Sequence, residues 1–180
     1  LSERSAKMSK STGNTVSPED MIERYGADTV RLFILFAANP TAGMDWSDTA
    51  LEANYKVMMQ LYSMPERLLS WDGPAGPMDV WFEGRLKQRV EEFQSAMDVY
   101  DLRRAVELSH YELVKDVNWY TRRGGNNAEI ASKILRHWAH MLSISTPHLA
   151  EEWWAVLGMD GLISGAEMPK LDPVSPAEQS

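Results

Sequence analysis

The chain has 180 residues, a formal net charge of −8, 44% hydrophobic residues and no cysteine. This length suits one domain, or a domain with an appendage, and the apolar content supports a packed core. The absence of cysteine excludes a disulfide framework and a thiolate metal site, in keeping with an expected cytoplasmic location; the longest uninterrupted apolar run, Leu32–Ala38, is far too short to cross a bilayer.

Taken in chain order, residues 4–18 form a basic stretch with no carboxylate. Arg4, Lys7 and Lys10 supply charge, while Ser5, Ser9, Ser11, Thr12, Gly13 and Asn14 offer hydroxyls and accessible backbone amides. That combination suits a polyphosphate, although the Walker-type spacing is absent. Composition alone fits a solvated flexible segment equally well.

Ser17-Pro18-Glu19-Asp20 is a helix start, with Ser as cap, Pro in the first turn and acids near the positive end of the helix. This helix should stop at Gly26. A second, about residues 28–38, is apolar nearly all round and therefore expected to be buried, with Asn39-Pro40 ending it. Ser47 or Asp48 caps a third helix reaching Leu69, kinked or broken at Pro65. Trp71 to Pro77 reads as a linker.

A fourth helix is expected over residues 80–99. Asp101 opens a fifth to Arg123, with Leu102, Val106, Tyr111, Val114, Val117 and Tyr120 as its stripe. The turn Gly124-Gly125-Asn126-Asn127 precedes a sixth helix at 128–144, and Pro147 starts a seventh ending near Gly158. Short helices with short connections imply a mainly α, antiparallel helical bundle. The Pro-, Glu- and Ser-rich residues 164–180 read as a partly disordered tail.

Lys7-Met8-Ser9-Lys10-Ser11 spells KMSKS and continues through Thr12-Gly13-Asn14. This string is similar to the second signature of the class I aminoacyl-tRNA synthetases. Residues 17–31, SPEDMIERYGADTVR, resemble the segment that follows it in the leucine, isoleucine and valine enzymes. Leu32–Ala38 with Met44-Asp45-Trp46-Ser47-Asp48 is closest to the leucine branch of bacterial type, and Thr146–Trp153 resembles a late helix of the anticodon-binding domain. The resemblance implies a division into a KMSKS loop with connector helices (1–45), a helical anticodon-binding domain (46–163) and the tail (164–180). Since the chain starts with Leu1 rather than Met, it is expected to be a C-terminal piece of a longer enzyme.

In such an enzyme amino acid activation expels pyrophosphate from ATP, and a positioned cation stabilises the charge that builds on the leaving group. The resemblance assigns Lys7 and Lys10 to that catalytic role, and Lys7, Met8, Ser9, Lys10 and Ser11 to ATP binding, with Lys10 in direct contact. ATP with Mg2+ is then the substrate complex of the full-length protein, leucine and tRNA are its other partners, and a monomer with no membrane partner is expected. The family's His-x-Gly-His element is absent, so this piece is expected to be inactive alone and to bind no cofactor tightly.

Residues 80–123 carry eight Lys/Arg and eight Asp/Glu, so the acidity lies in the flanks and the neutral middle is where tRNA would touch. Arg103, Arg104, Arg122 and Arg123 are the candidate phosphate contacts. Ordinary helix-surface charge is the competing reading, because Glu107 can pair with Arg103 or Arg104. His137 and His140 have a spacing compatible with metal ligands, but no supporting third ligand emerges from His148 or Glu151, so no metal is expected. Trp46 and Trp119 read as packing residues, as does at least one of Trp153 and Trp154. The isoleucine, valine and methionine enzymes are alternatives within the family; a helical RNA-binding module without catalytic descent is the alternative outside it.

Overall fold

The computed structural model describes residues 16–37 and 46–170. The KMSKS residues Lys7, Met8, Ser9, Lys10 and Ser11, the Asn39-Pro40 stop signal and the end of the tail lie outside the described residues. Nine α-helices are described: α1 (Pro18–Tyr25), α2 (Ala27–Ala37), α3 (Asp48–Tyr62), α4 (Met64–Leu69), α5 (Pro77–Asp98), α6 (Leu102–Val106), α7 (Leu113–Arg122), α8 (Ala128–Ser143) and α9 (Pro147–Val156). A π-helical stretch, Glu107–Glu112, joins α6 to α7, and a 3-10 turn at Ile163–Gly165 follows α9. Among the described residues the only β feature is an isolated bridge between Gly73 and Asn127.

The helix ends obey local chemistry. Ser17 Oγ accepts from Asp20 N at 3.3 Å, Ser47 Oγ from Ala50 N at 3.2 Å and Asn127 Oδ1 from Glu129 N at 2.8 Å, each satisfying an otherwise orphaned amide of a first turn. Gly26 ends α1 at φ 82° and ψ 151°, a conformation in which a side chain would be strained. The break expected at Pro65 falls at Ser63, between α3 and α4. Proline has no amide to give the preceding turn, and its ring clashes with the carbonyl four residues back, so the helix parts ahead of it.

The core is built around α8, whose Ile134, Leu135, Trp138, Met141 and Leu142 are sealed from solvent by α4, α5 and α9. Trp138 and Trp153 meet edge to face at 5.2 Å. A smaller cluster of Val30, Phe33 and Leu51 joins α2 to α3, with Met21, Tyr25 and Trp46 packed against it. Helix α2 lies at the bundle's edge and is not buried all round: Ile34 is 42% exposed. Its sequence lacks a polar stripe, so periodicity could not show which side faces water.

The segment read as a linker is tied down. Trp71 is buried and packs on Tyr120 at 5.3 Å, and Gly73 N donates to Asn126 O at 3.0 Å. The adjoining turn needs its glycine, since a Cβ on Gly125 would sit 2.3 Å from the Tyr120 ring. Beneath it Asp79 accepts from the Tyr120 hydroxyl, from Asn127 Nδ2 at 2.7 Å and from Gly76 N at 2.9 Å. Burial disfavours the Asp79 carboxylate, but bonds from Asn127, Tyr120 and Gly76 outweigh it and hold the pKa below the ordinary value. Burial and the Asp79 hydrogen bond push Tyr120 up to about 12.

Polar residues of α2 clamp the turn between α8 and α9. Asp28 Oδ2 accepts from Leu149 N at 2.8 Å, and Asp28 Oδ1 lies 2.8 Å from His148 Nδ1, which places a carboxylate at the start of α9. One turn along, Arg31 donates to Ser145 O at 3.2 Å and Ile144 O at 3.4 Å, which places a cation at the end of α8. Each charge faces the helix end of opposite partial charge. Asp28→Ala is expected to lose about 1–3 kcal/mol by orphaning the buried Leu149 amide. Hydrogen exchange should show Leu149 losing protection, and protection equal to the parent's would refute the clamp.

Candidate nucleic-acid interface

Helix α5 and the run from α6 to α7 form an antiparallel hairpin, turned at residues 99–101 by an Asp101 cap whose Oδ1 accepts from Arg104 N at 3.0 Å. The two arms are joined by a ladder of ion pairs. Arg89, 7% exposed, donates from Nε to Asp116 Oδ2 at 2.7 Å and pairs with Glu112 through Nη1. Arg104 reaches Glu112 and Glu92, each at 2.7 Å, and Glu107 at 3.4 Å.

Burial works against the charge on Arg89, yet the hydrogen bond and charge of Asp116, with Glu112 and Glu92, raise its pKa. Burial likewise opposes ionisation of Glu112, but the bond from Arg104 and the charges of Arg89 and Arg104 hold its pKa low. Both therefore stay ionised at neutral pH.

Within this ladder the Arg104 guanidinium is engaged by three glutamates of its own chain. Arg103 is more exposed, pairs with Glu107 at 3.5 Å and lies 5.3 Å from the centre of the Phe36 ring. Arg122 and Arg123 stand at the other end of the hairpin, about 30 Å away at 1.5 Å per residue. The four arginines thus do not form one patch.

Around Arg122 the structure assembles a different set. A cleft of about 630 Å³ runs between α5 and α7, bordered by Trp81, Arg85, Lys115, Trp119 and Arg122. The Trp81 and Trp119 rings stack with centroids 3.9 Å apart and planes 35° apart. The Arg123 guanidinium covers Trp119 at 3.7 Å. Arg122 donates to Asn118 O of its own helix at 3.2 Å, and Lys115 is exposed. The floor carboxylates Asp116 and Glu112 are already held by Arg85, Arg89 and Arg104, so the cleft's outer cations face solvent.

Sequence alone does not single out Trp81, Arg85 and Lys115, and it assigns Trp119 to packing. A signal is nevertheless present: Lys115, Trp119, Arg122 and Arg123 follow the i, i+4, i+7, i+8 spacing of one helical face, and Trp81 and Arg85 stand four apart on α5. Trp153 and Trp154 are both buried, with Trp153 Nε1 donating to Leu61 O at 3.1 Å, so neither is open to a base. His148 is paired with Asp28 and Glu151 accepts from Ile163 N at 3.1 Å. No cluster of three metal-ligating side chains occurs among the described residues. A second cleft, about 440 Å³ between α1, α3 and α9, is lined by Tyr25, Tyr55, Met59 and Tyr62 with the carboxylates Asp28 and Glu152, a poor match for a polyanion.

Comparison with known proteins gives a consistent picture. Residues 79–180 match the anticodon-binding domain of tRNA ligase, and residues 1–47 match the class I tRNA synthetases for I, L, M and V. The chain is 35% identical over 175 residues to the leucine–tRNA ligase of Archaeoglobus fulgidus, covering 97% of this chain and 18% of that protein. It is 32% identical over 169 residues to the leucine–tRNA ligase of Cereibacter sphaeroides, covering 94% and 19%. The chain thus spans about a fifth of the length of these curated relatives. The LeuRS in a ternary LeuRS–tRNA–LeuAMS complex from Agrobacterium radiobacter K84 shares its fold, with a TM-score of 0.74 at 23% identity over 92% of this chain and 23% of that one.

Proposed function

The chain belongs to the class I tRNA synthetases, in the group built on the tRNA-ligase anticodon-binding domain, and from that premise we propose that it is the part of a leucine–tRNA ligase holding the ATP-contacting KMSKS loop and the tRNA-docking bundle. The observation that carries this reading is the co-occurrence in one chain of the KMSKS string with a helical body similar, over nearly its whole length, to leucine–tRNA ligases. Residues 1–45 are the loop and connector, and residues 46–163 the bundle; the reading takes the full-length protein as a monomer that acts in the cytoplasm. Its reaction joins leucine to tRNA with consumption of ATP, and Mg2+ accompanies the nucleotide.

Lys7 and Lys10 act where pyrophosphate leaves. An ammonium near the leaving group stabilises charge that is greater in the transition state than in ATP, so it raises the rate rather than only the affinity. A lysine on a compliant segment follows the phosphate as a point charge. On the bundle, Arg122 and Arg123 take tRNA phosphates, whereas Arg104 is committed to its own glutamates. Arg103 contributes at most a peripheral charge. No helix among the described residues is long and apolar enough to cross a membrane.

In the full-length protein Lys10→Ala is expected to slow leucine-dependent ATP–pyrophosphate exchange by roughly tenfold or more, the scale of one lost charge contact in a transition state, with helicity unchanged. Exchange at the parent's rate would remove Lys10 from the mechanism.

A further inference from the structure

We propose that the cleft between α5 and α7 is a nucleotide-binding site for an unpaired RNA base and its flanking phosphates, with Trp119 as the stacking platform. The proposal rests on the tRNA-docking reading above and specifies where and how a loop or bulge nucleotide would be held. Three observations support it. Two indoles lie stacked at the mouth of a cleft rather than in the core, with half-buried rings. Lys115, Arg122 and Arg123 border them on the α7 side, while Arg85 on α5 is held by Asp116 at 3.3 Å and Gln88 at 2.9 Å. The acids beneath are engaged by Arg85, Arg89 and Arg104, so an incoming anion meets a positive rim.

A flat π-surface flanked by ammonium and guanidinium groups fits a nucleotide better than it fits an acidic peptide, which has nothing to lay on the rings. Every base has a π-face, and a phosphate on either side reaches the cations. Trp81 lies 3.9 Å from Trp119 between ring centroids, and the Arg123 guanidinium also lies over the Trp119 ring, at 3.7 Å. A cation over an exposed ring is held more weakly than a stacked base. The base therefore takes the place of Arg123, and Arg123 turns to the phosphate beside it. One side chain thus guards the platform when it is empty and grips the backbone when it is full.

The test is a titration of the full 180-residue chain with transfer RNA, with a uridine octanucleotide and with its abasic counterpart, followed by tryptophan fluorescence. Quenching by both base-bearing RNAs is expected, with the abasic chain binding roughly tenfold more weakly. Trp119→Ala should weaken the octanucleotide by roughly tenfold and Trp119→Phe much less, since a ring remains. Lys115→Ala and Arg122→Ala should each lower the slope of log affinity against log salt by about 0.7, as for a single strand. Should Trp119→Ala melt early, Lys115→Glu serves in its place, because that side chain is exposed.

Equal affinity for the abasic chain, or an octanucleotide affinity unmoved by Trp119→Ala and Lys115→Glu, overturns the proposal while leaving tRNA docking intact if tRNA still binds. Failure of the parent chain to bind any of the RNAs removes both. Binding of polyglutamate as tight as that of the octanucleotide would mark the cleft as a site for acidic protein and overturn the proposal as well.

Discussion

Arg89→Ala is expected to destabilise the bundle by about 3–5 kcal/mol, the range for a buried ion pair that loses one partner. Arg89 ties the acids of the second hairpin arm to the body of α5, holding Asp116 at 2.7 Å and Glu112 on the neighbouring turn. Without it Asp116, only 6% exposed, keeps a 3.3 Å contact to the half-exposed Arg85 and loses its main counter-charge. The double variant Arg89→Met with Asp116→Leu should recover much of that loss, because apolar groups of similar volume carry no desolvation cost to offset. Urea unfolding of the parent, Arg89→Ala and the double variant measures both effects. A single-variant loss below about 1 kcal/mol, the level of an exposed pair, would mean that water reaches the site.

Acid should destabilise the chain well above the pH at which carboxylates titrate, and His110 is the reason. Its ring is sealed in the core, between Ser109 Oγ at 2.8 Å and Thr146 Oγ1 at 3.1 Å. Burial pushes its pKa down to about 3, with a backbone hydrogen bond at Val106 opposing the shift. Above about pH 6.5 neither state carries the proton and the ring adds no pH dependence. Below that the unfolded chain takes up a proton that the folded chain refuses, so stability falls by about 1.4 kcal/mol per pH unit until about pH 3.

His140, lowered by burial and by the nearby His137, acts in the same direction. Glu112 and Asp79, whose pKa values are held low, lose stability only as pH falls through the carboxylate range, below their ordinary values of 4.5 and 3.8. The interval from about pH 6.5 to about 5 therefore reports the histidines. His110→Gln, which keeps a neutral polar group, should reduce the slope of stability across that interval to the share left by His140 when urea midpoints are measured at successive pH values. An unchanged slope would place the acid sensitivity elsewhere.

The helix ends are legible in the sequence because their causes are local. Ser17, Ser47, Asp101 and Asn127 lie within three residues of the amides they cap, and Pro65 acts on the turn before it. The π-helical stretch is nearly legible. The expected stripe of the fifth helix steps by five residues between Val106 and Tyr111, one more than an α-helical turn allows. The structure places the extra residue there, with Ser109 Oγ donating to Ala105 O at 2.8 Å and His110 turned inward. Asp28 and Arg31 are visible only as helix residues, since their partners lie more than 110 positions away.

By itself the sequence determined the class of fold, the points at which the chain turns and the family, and its KMSKS string supports the proposal that Lys7 and Lys10 act on ATP. These follow from caps, breakers, periodicity and a contiguous motif, all encoded over a few neighbouring residues. Only the tertiary structure decided which charges remain available. Arg104 and Arg122 look alike in the sequence, but pairing with α5 adds Glu92 to the Glu107 and Glu112 that the first meets on its own arm, and leaves the second at the edge of a cleft with two tryptophans. A charge is spent or free according to what packing brings within about 4 Å of it, and that neighbourhood is set by the fold.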